Sequence, residues 1–186
     1  MTERIGPDVT ACTRCPDLVA CRTQIVNGRG DERADLVAVG EAPGRVEDEL
    51  GRPFVGRSGD ILEATLDRLG VDPDRVRITN CVRCRPPDNR DPRVGERNSC
   101  RDHLETEVAH VDPVVILALG RIPTAELVGG SRSVTECVGE TVEVAVGGAR
   151  RPVVIGLHPA ATLYDRTKRP AFEAAVETAV DLAGLR

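Results

Sequence analysis

The chain has 186 residues, 40% of them apolar, with no tryptophan and with Phe54, Tyr164 and Phe172 as its only aromatics; a chain of this length buries a core without staples, and here that core must be aliphatic. No apolar run approaches the roughly 20 residues that span a bilayer, and the opening M-T-E-R-I-G-P-D lacks the basic and apolar regions of a signal peptide, so the chain reads as cytoplasmic and not membrane-bound. The net charge of −5 argues against non-specific attraction to a polyanion, although the cations are almost all arginine, with Lys168 the single lysine, a bias read as a GC-rich genome or a salty cytoplasm.

In chain order, the first feature is Cys12-T-R-Cys15, followed by Cys21. With Cys81, Cys84, Cys100 and Cys137 the chain holds seven cysteines, and because disulfides are disfavoured in the cytoplasm, metal binding is the first hypothesis. The apolar run Leu36–Val39 predicts a strand and the periodicity of Ile61–Leu69 a helix. Between them residues 40–59 read G-E-A-P-G-R-V-E-D-E-L-G-R-P-F-V-G-R-S-G. A strand, a glycine-rich loop and a helix are where an α/β protein keeps its active site. The loop has neither the Lys-Ser/Thr ending of a P-loop nor the G-x-G-x-x-G spacing, which disfavours a nucleotide cofactor.

Further strands are predicted at Val76–Thr79, Val114–Leu119 and Val153–Leu157, and helices at Val94–His110, Ile122–Val128 and Ala171–Leu182. Pro170 starts the last helix at a position where its missing N–H is harmless. The alternation V-G-E-T-V-E-V-A-V within Val134–Val146 predicts a hairpin or an edge strand. Strands separated by helices imply an α/β fold, a three-layer α/β/α sandwich around a central, mainly parallel four-stranded sheet.

Each apolar strand ends in a polar residue or glycine: Gly40-Glu41, Asn80, Gly120-Arg121 and His158-Pro159. The carboxyl ends of parallel strands share one edge, so Glu41, Asn80 and His158 are expected to converge in space. Asn80 offers both a donor and an acceptor, suited to the edge of an amide-like base. Phe54, between Pro53 and Val55 in a glycine-rich loop, reads as a stacking platform for a planar heterocycle. His103 and His110 lie in a helical pattern and read as surface or cap residues.

Cys12-x2-Cys15 and Cys81-x2-Cys84 have metal-knuckle spacing, with Cys100 farther on. Four thiolates suit either structural zinc or an iron–sulfur cluster, and spacing alone leaves the fourth ligand open. Cys21 and Cys137 read as small buried apolar residues.

The motifs G40-E-A-P-G44, G51-R-P-F-V-G56, T79-N80, C84-R-P-P-D-N-R90 and H158-P-A, in this order, together with the opening C12-T-R-C-P-D-L-V-A-C-R22, resemble the iron–sulfur (family 4) branch of the uracil-DNA glycosylases. The resemblance runs from Cys12 to about Ala160. It implies a single glycosylase domain over residues 1–186, in which a [4Fe–4S] cluster held by Cys12, Cys15, Cys84 and Cys100 ties the N-terminal segment to the 81–100 loop. Cys81, Cys21 and Cys137 are then bystanders, and the cluster is structural. The implied reaction is base excision repair: uracil is flipped out of DNA and its N-glycosidic bond hydrolysed, releasing free uracil and leaving an abasic site.

By resemblance Phe54 stacks on the flipped base, Asn80 reads its polar edge, and His158 donates to the oxygen that gathers negative charge. Gly40 and Ala42 belong to the substrate-binding loop. Other branches carry Asp or Asn where this chain has Ala42, so Glu41 is the carboxylate expected to orient water, and Glu47 is expected to wall the pocket against a thymine methyl. DNA contacts are expected from Arg85, Asn89 and Arg90, in a stretch with six arginines from Arg83 to Arg101, and from Arg166 and Lys168. Leu163 or Tyr164 is the expected wedge into the vacated stack. The segment after H-P departs from the family's leucine-rich pattern.

Two alternatives stand beside this reading. A uracil-crosslinking relative needs a histidine in a basic loop after the second strand, and R85-P-P-D-N-R-D-P-R-V-G-E-R-N-S99 contains none. A non-catalytic protein that binds nucleic acid around a four-cysteine metal or cluster site explains the cysteines and arginines but not Glu41, Asn80 and His158 at strand ends. The expected partner is uracil-containing DNA and the expected state a monomer; a sliding-clamp partner is left open, because the sequence does not reveal protein partners.

Overall fold

The computed structural model describes residues 8–130 and 133–186. Five strands, β1 (Leu36–Gly40), β2 (Val76–Asn80), β3 (Val115–Leu119), β4 (Thr141–Val146) and β5 (Ala149–Gly156), form one sheet in the order β2-β1-β3-β5-β4. Strands β1, β2, β3 and β5 are parallel, in register through Leu36↔Val76, Leu36↔Val115 and Ile116↔Val153. Strand β4 runs antiparallel to β5, joined to it by a turn at Gly147 and Gly148, both of which have positive φ.

The four parallel strands are therefore those expected, and a fifth, antiparallel strand extends the sheet at its edge. Every residue of β1, β2 and β3 is buried, as in a sheet covered on both faces, whereas β4 alternates between exposed and half-buried residues up to the buried Val146. The predicted hairpin lies here, but its first part, Val134–Cys137, is a short helix.

The helices are α1 (Pro16–Cys21), α2 (Arg45–Leu50), α3 (Arg57–Arg68), α4 (Val94–Val111), α5 (Arg121–Leu127), α6 (Val134–Cys137), α7 (Ala161–Tyr164) and α8 (Arg169–Leu182). The period of two along the strands divides the core between the two sheet faces. Leu36, Ala38, Leu117 and Leu119 pack with Leu62 and Leu66 of α3 and Phe172, Val176 and Val180 of α8. Val37, Val39, Ile116 and Ala118 pack with Leu18 of α1, Leu104 and Val108 of α4, and Ile122 and Leu127 of α5.

The chain leaves β1 for β2 on one side and then crosses to β3 on the other, so the strand order reverses at β1. That switch point opens a crevice at the carboxyl ends of the strands, where an α/β sheet binds its ligand. Among the described residues no helix is long and apolar enough to cross a membrane.

Candidate active site

Four segments meet at this crevice: the ends of β1 and β2, the loop between α2 and α3, and the turn after β5. Gly40 ends β1 opposite Asn80, which ends β2. A Cβ built on Gly40 would lie 2.4 Å from Asn80 Oδ1 and 2.5 Å from Phe54 Cε2, so glycine is what allows the amide and the ring to approach each other. The Phe54 and His158 rings face across the same space, with centroids 5.7 Å apart and planes inclined by 34°. Asn80, Phe54 and His158 come together here; Glu41, expected to converge with Asn80 and His158, has Asp91, Arg121 and Arg97 as its charged neighbours instead.

Asn80 is 2% exposed, and its Nδ2 has no hydrogen-bond partner among the described residues. A buried amide donor left open carries a desolvation cost that a ligand's acceptor relieves. His158 lies beside Gly120, where a Cβ would sit 3.1 Å from the His158 Cβ. Burial lowers the imidazole pKa to about 4, so the ring is neutral at physiological pH. Its Nδ1 accepts from the Ala160 N–H at 3.2 Å, which leaves Nε2 as the protonated nitrogen and makes His158 a neutral donor.

Phe54 is held in place by two groups that sequence reasoning left out or read differently. Its φ is +53°, a left-handed conformation that strains a bulky residue. The Glu47 carboxylate accepts the Phe54 N–H at 2.6 Å and the Gly44 N–H at 2.5 Å, so both of its oxygens shape the loop. Arg29 donates to the Pro53 carbonyl at 2.9 Å and to the Phe54 carbonyl at 3.2 Å, and pairs with Glu63. Asp48, fully buried, accepts the Thr23 and Gln24 N–H groups and ties the preceding segment to α2. A lone arginine or aspartate carries no signal of such a role in sequence.

Glu41 directly follows β1 and is half-buried. Burial, and then the neighbouring Asp91, raise its pKa to about 7, while Arg121 and Arg97 oppose the rise. Asp91 is itself paired with Arg121. Ala42, the next residue, packs against the sheet and offers no functional group.

The expected cluster ligands share a second cavity, behind the loop that follows β2. Cys12, Cys15, Cys84 and Cys100 line it together with Leu18, Arg22, Arg83 and His103. Among the described residues no three His, Cys, Asp or Glu side chains could hold a single metal ion. Four cysteines on one cavity are the donor set of an iron–sulfur cluster, in which each thiolate binds a different iron. Burial raises the Cys15 and Cys84 thiols and pushes Cys100 up to about 11, so thiolates here require positive partners. Arg22 already donates to Cys84 Sγ at 3.0 Å, and the Arg83 N–H lies 3.4 Å from Cys100 Sγ.

The remaining cysteines fall outside this cavity. Cys81 is buried and its thiol strongly raised by desolvation, and Cys137 lies in the core on the α8 side. Cys21, expected to be buried, is only partly covered because it ends the short α1. His103, expected at the surface, instead lines the cavity, whereas His110 pairs with Glu32 at 2.9 Å.

Of the expected DNA-contact residues, Arg85 donates to Asn89 Oδ1 at 2.7 Å, and both Asp88 and Asn89 have positive φ. Arg90 is instead paired in bidentate fashion with Glu96, and Arg83 is buried against Glu107. The run of six arginines is thus less basic in space than in sequence, because most of them have an acid within reach. Tyr164 is 91% exposed at the end of α7, whereas Leu163 is half-buried, and Arg166 is exposed. Lys168 lies 3.9 Å from Asp165.

The family model of the uracil DNA glycosylase superfamily matches residues 27–180. The chain belongs to that superfamily. It is 36% identical to the type-4 uracil-DNA glycosylase of Archaeoglobus fulgidus over 98% of this chain and 93% of that one. It is 39% identical to the type-4 uracil-DNA glycosylase of Pyrobaculum aerophilum over 92% of this chain and 89% of that one. A type-5 uracil-DNA glycosylase of Thermus thermophilus is 33% identical over only 64% of this chain and 68% of its own. The breadth of the type-4 matches places this glycosylase-family chain with the type-4 branch.

Proposed function

We propose that this chain is a uracil-DNA glycosylase that takes uracil out of the DNA stack and hydrolyses its bond to deoxyribose, the first step of base excision repair. The observation that supports the reading best is the open amide donor of Asn80 beside the Phe54 ring and the neutral imidazole of His158. Uracil presents an N–H flanked by two carbonyl oxygens. Asn80 can donate through Nδ2 to one oxygen and accept the N–H at Oδ1, a pairing that cytosine's reversed edge does not satisfy. Phe54 stacks on the ring of the flipped base.

As the glycosidic bond lengthens, negative charge gathers on the uracil oxygen nearest the sugar and the sugar takes on oxocarbenium character. His158 stabilises that oxygen through Nε2–H; one such placed donor is typically worth about 3 kcal/mol of transition-state stabilisation. Neutrality suits this task, because the donor is fixed by the Ala160 N–H on its other nitrogen and needs no proton from solvent. Glu41, with a pKa of about 7, is a base matched to neutral pH and orients the attacking water. Glu47 and Arg29 hold the loop that carries Phe54.

Cys12, Cys15, Cys84 and Cys100 hold a [4Fe–4S] cluster whose contribution is structural: it joins the segment before β1 to the loop after Asn80. DNA is gripped by the loop of Arg85 and Asn89 and by the α7 segment.

The test is incubation with a uracil-containing oligonucleotide followed by alkali. Free uracil and cleavage at the uracil position are expected, with His158→Ala slowing release by about 10²–10³-fold. A protein that binds the oligonucleotide but releases no uracil would be the non-catalytic alternative instead.

A further inference from the structure

We propose that Arg83, assisted by Arg22, is the built-in counter-charge of the four-cysteine cavity, donating N–H groups to the sulfurs of the group bound there. The inference rests on the iron–sulfur reading above and concerns residues outside the ligand set. Arg83 is 1% exposed, the largest of the fully buried side chains. One terminal nitrogen pairs with Glu107, but Nε and Nη1 are buried with no partner among the described residues. His103 Nε2 is orphaned in the same way. Arg83 and His103 both line the cavity with Cys12, Cys15, Cys84 and Cys100. Buried N–H groups without acceptors are rare in native proteins and mark a place for an acceptor that the protein atoms do not supply.

The charges point the same way. Glu107 is completely buried and shared by two guanidinium groups, that of Arg77 at 2.6 Å and that of Arg83. Two cations share one carboxylate, and of the two Arg83 lines the cavity; among the described residues Arg77 has one further acid partner, the largely exposed Asp8, 3.8 Å away. An iron–sulfur cube with four thiolate ligands is a net anion. Arg22 also lines the cavity, with Nη1 donating to Cys84 Sγ at 3.0 Å and Nη2 to the Cys12 carbonyl at 2.8 Å. Net charge and hydrogen bonds to sulfur are the protein's main levers on a cluster's potential. Removing a nearby positive charge makes the cluster harder to reduce, so its midpoint potential falls.

The experiment uses the purified full-length protein with Arg83→Met and Arg22→Gln. Iron and acid-labile sulfide per chain are measured first; a wild-type protein lacking both overturns the cluster reading itself, independently of Arg83. In cluster-loaded protein, a dye-mediated redox titration is expected to give a tenfold lower reduced-to-oxidised ratio at fixed solution potential for each variant, about 59 mV for one electron. Loss of the visible absorption to an iron chelator is expected to be several-fold faster than in the wild type. Because Arg22 is partly exposed, Arg22→Gln supplies both readouts if Arg83→Met does not fold. Loaded variants with the wild-type potential and wild-type rate of cluster loss overturn the proposal, since a merely structural arginine would leave both unmoved.

Discussion

Phe54 occupies a conformation of roughly 1–3 kcal/mol strain, and the groups around it hold that conformation in place. Glu47 takes its N–H, Arg29 takes its carbonyl, and Gly59 passes so close that a Cβ would lie 1.9 Å from that carbonyl oxygen. Arg29→Met removes both side-chain donors while leaving its backbone pairing with Ile78. It is expected to raise KM about tenfold with a smaller change in kcat, because stacking binds ground state and transition state alike. Arg29→Lys should recover part of the loss in steady-state assays, and an unchanged KM would mean the platform is set elsewhere. Glu41 gives a second prediction, with two readouts. Its pKa rises from 4.5 unfolded to about 7 folded, so the folded state holds a proton that the unfolded state releases. Stability is therefore lost as pH climbs through that window. Solvent screens this half-buried group, so only part of the shift reaches stability. Glu41→Gln is expected to be about 1–2 kcal/mol more stable than the wild type at pH 8 in urea titrations, with the gain gone near pH 4.5. Its activity should fall, and the rise in wild-type rate through pH 7 should disappear. His158 acts in the opposite sense: its pKa drops from 6.5 to about 4, so its contribution is lost as pH falls through that interval.

Among the elements, α7 is the shortest that carries a prediction. Its four residues place Tyr164 outward, 91% exposed, while Thr162 turns back and caps itself on the Pro159 carbonyl at 2.8 Å. An exposed aromatic next to the His158 turn is placed to fill the gap left by a flipped base. Tyr164→Ala is expected to lower kcat/KM about tenfold on duplex uracil and hardly at all on single-stranded uracil, where no stack needs support; equal losses on both would remove the wedge role. This segment also shows how far the sequence could be read. Three of the four parallel strands were legible as continuous apolar runs and β2, V-R-I-T-N, by its β-branched residues, and Asn80, Phe54 and His158 were legible because strand ends and a glycine-rich loop must share one edge. Strand β4 was less so, since its half-exposed alternation resembles any edge or hairpin. The choice between Leu163 and Tyr164 depends on which way a single helical turn faces. Arg29, Asp48 and the Arg77–Glu107–Arg83 group were illegible, because their roles come from partners tens of residues away, with no periodicity to reveal them.

For the whole molecule, the question is how a protein of net charge −5 holds a polyanion. The arginines divide into two sets. Arg90, Arg93, Arg97 and Arg121 each have an acid partner, Glu96, Asp17, Glu126 and Asp91 respectively, and so add little net field. Arg57, Arg85 and Arg166 make no ion pair among the described residues, and in the chain they follow three segments that reach the crevice: the Phe54 loop, β2 and the turn after β5. Binding should therefore be local and salt-dependent, with each phosphate neutralised contributing about 0.9 to the slope of log K against log salt for duplex DNA. Replacing Arg57, Arg85 or Arg166 by Ala is expected to lower that slope by about 0.9 each, measured by anisotropy over a salt series with a duplex carrying a non-hydrolysable uracil analogue. Arg93→Ala and Arg97→Ala should leave the slope within error, because removing a neutralised arginine frees an acid and takes no phosphate contact away. Equal effects from the two sets would show that the surface ion pairs open on binding, and that the whole basic stretch from Arg83 to Arg101 meets the DNA.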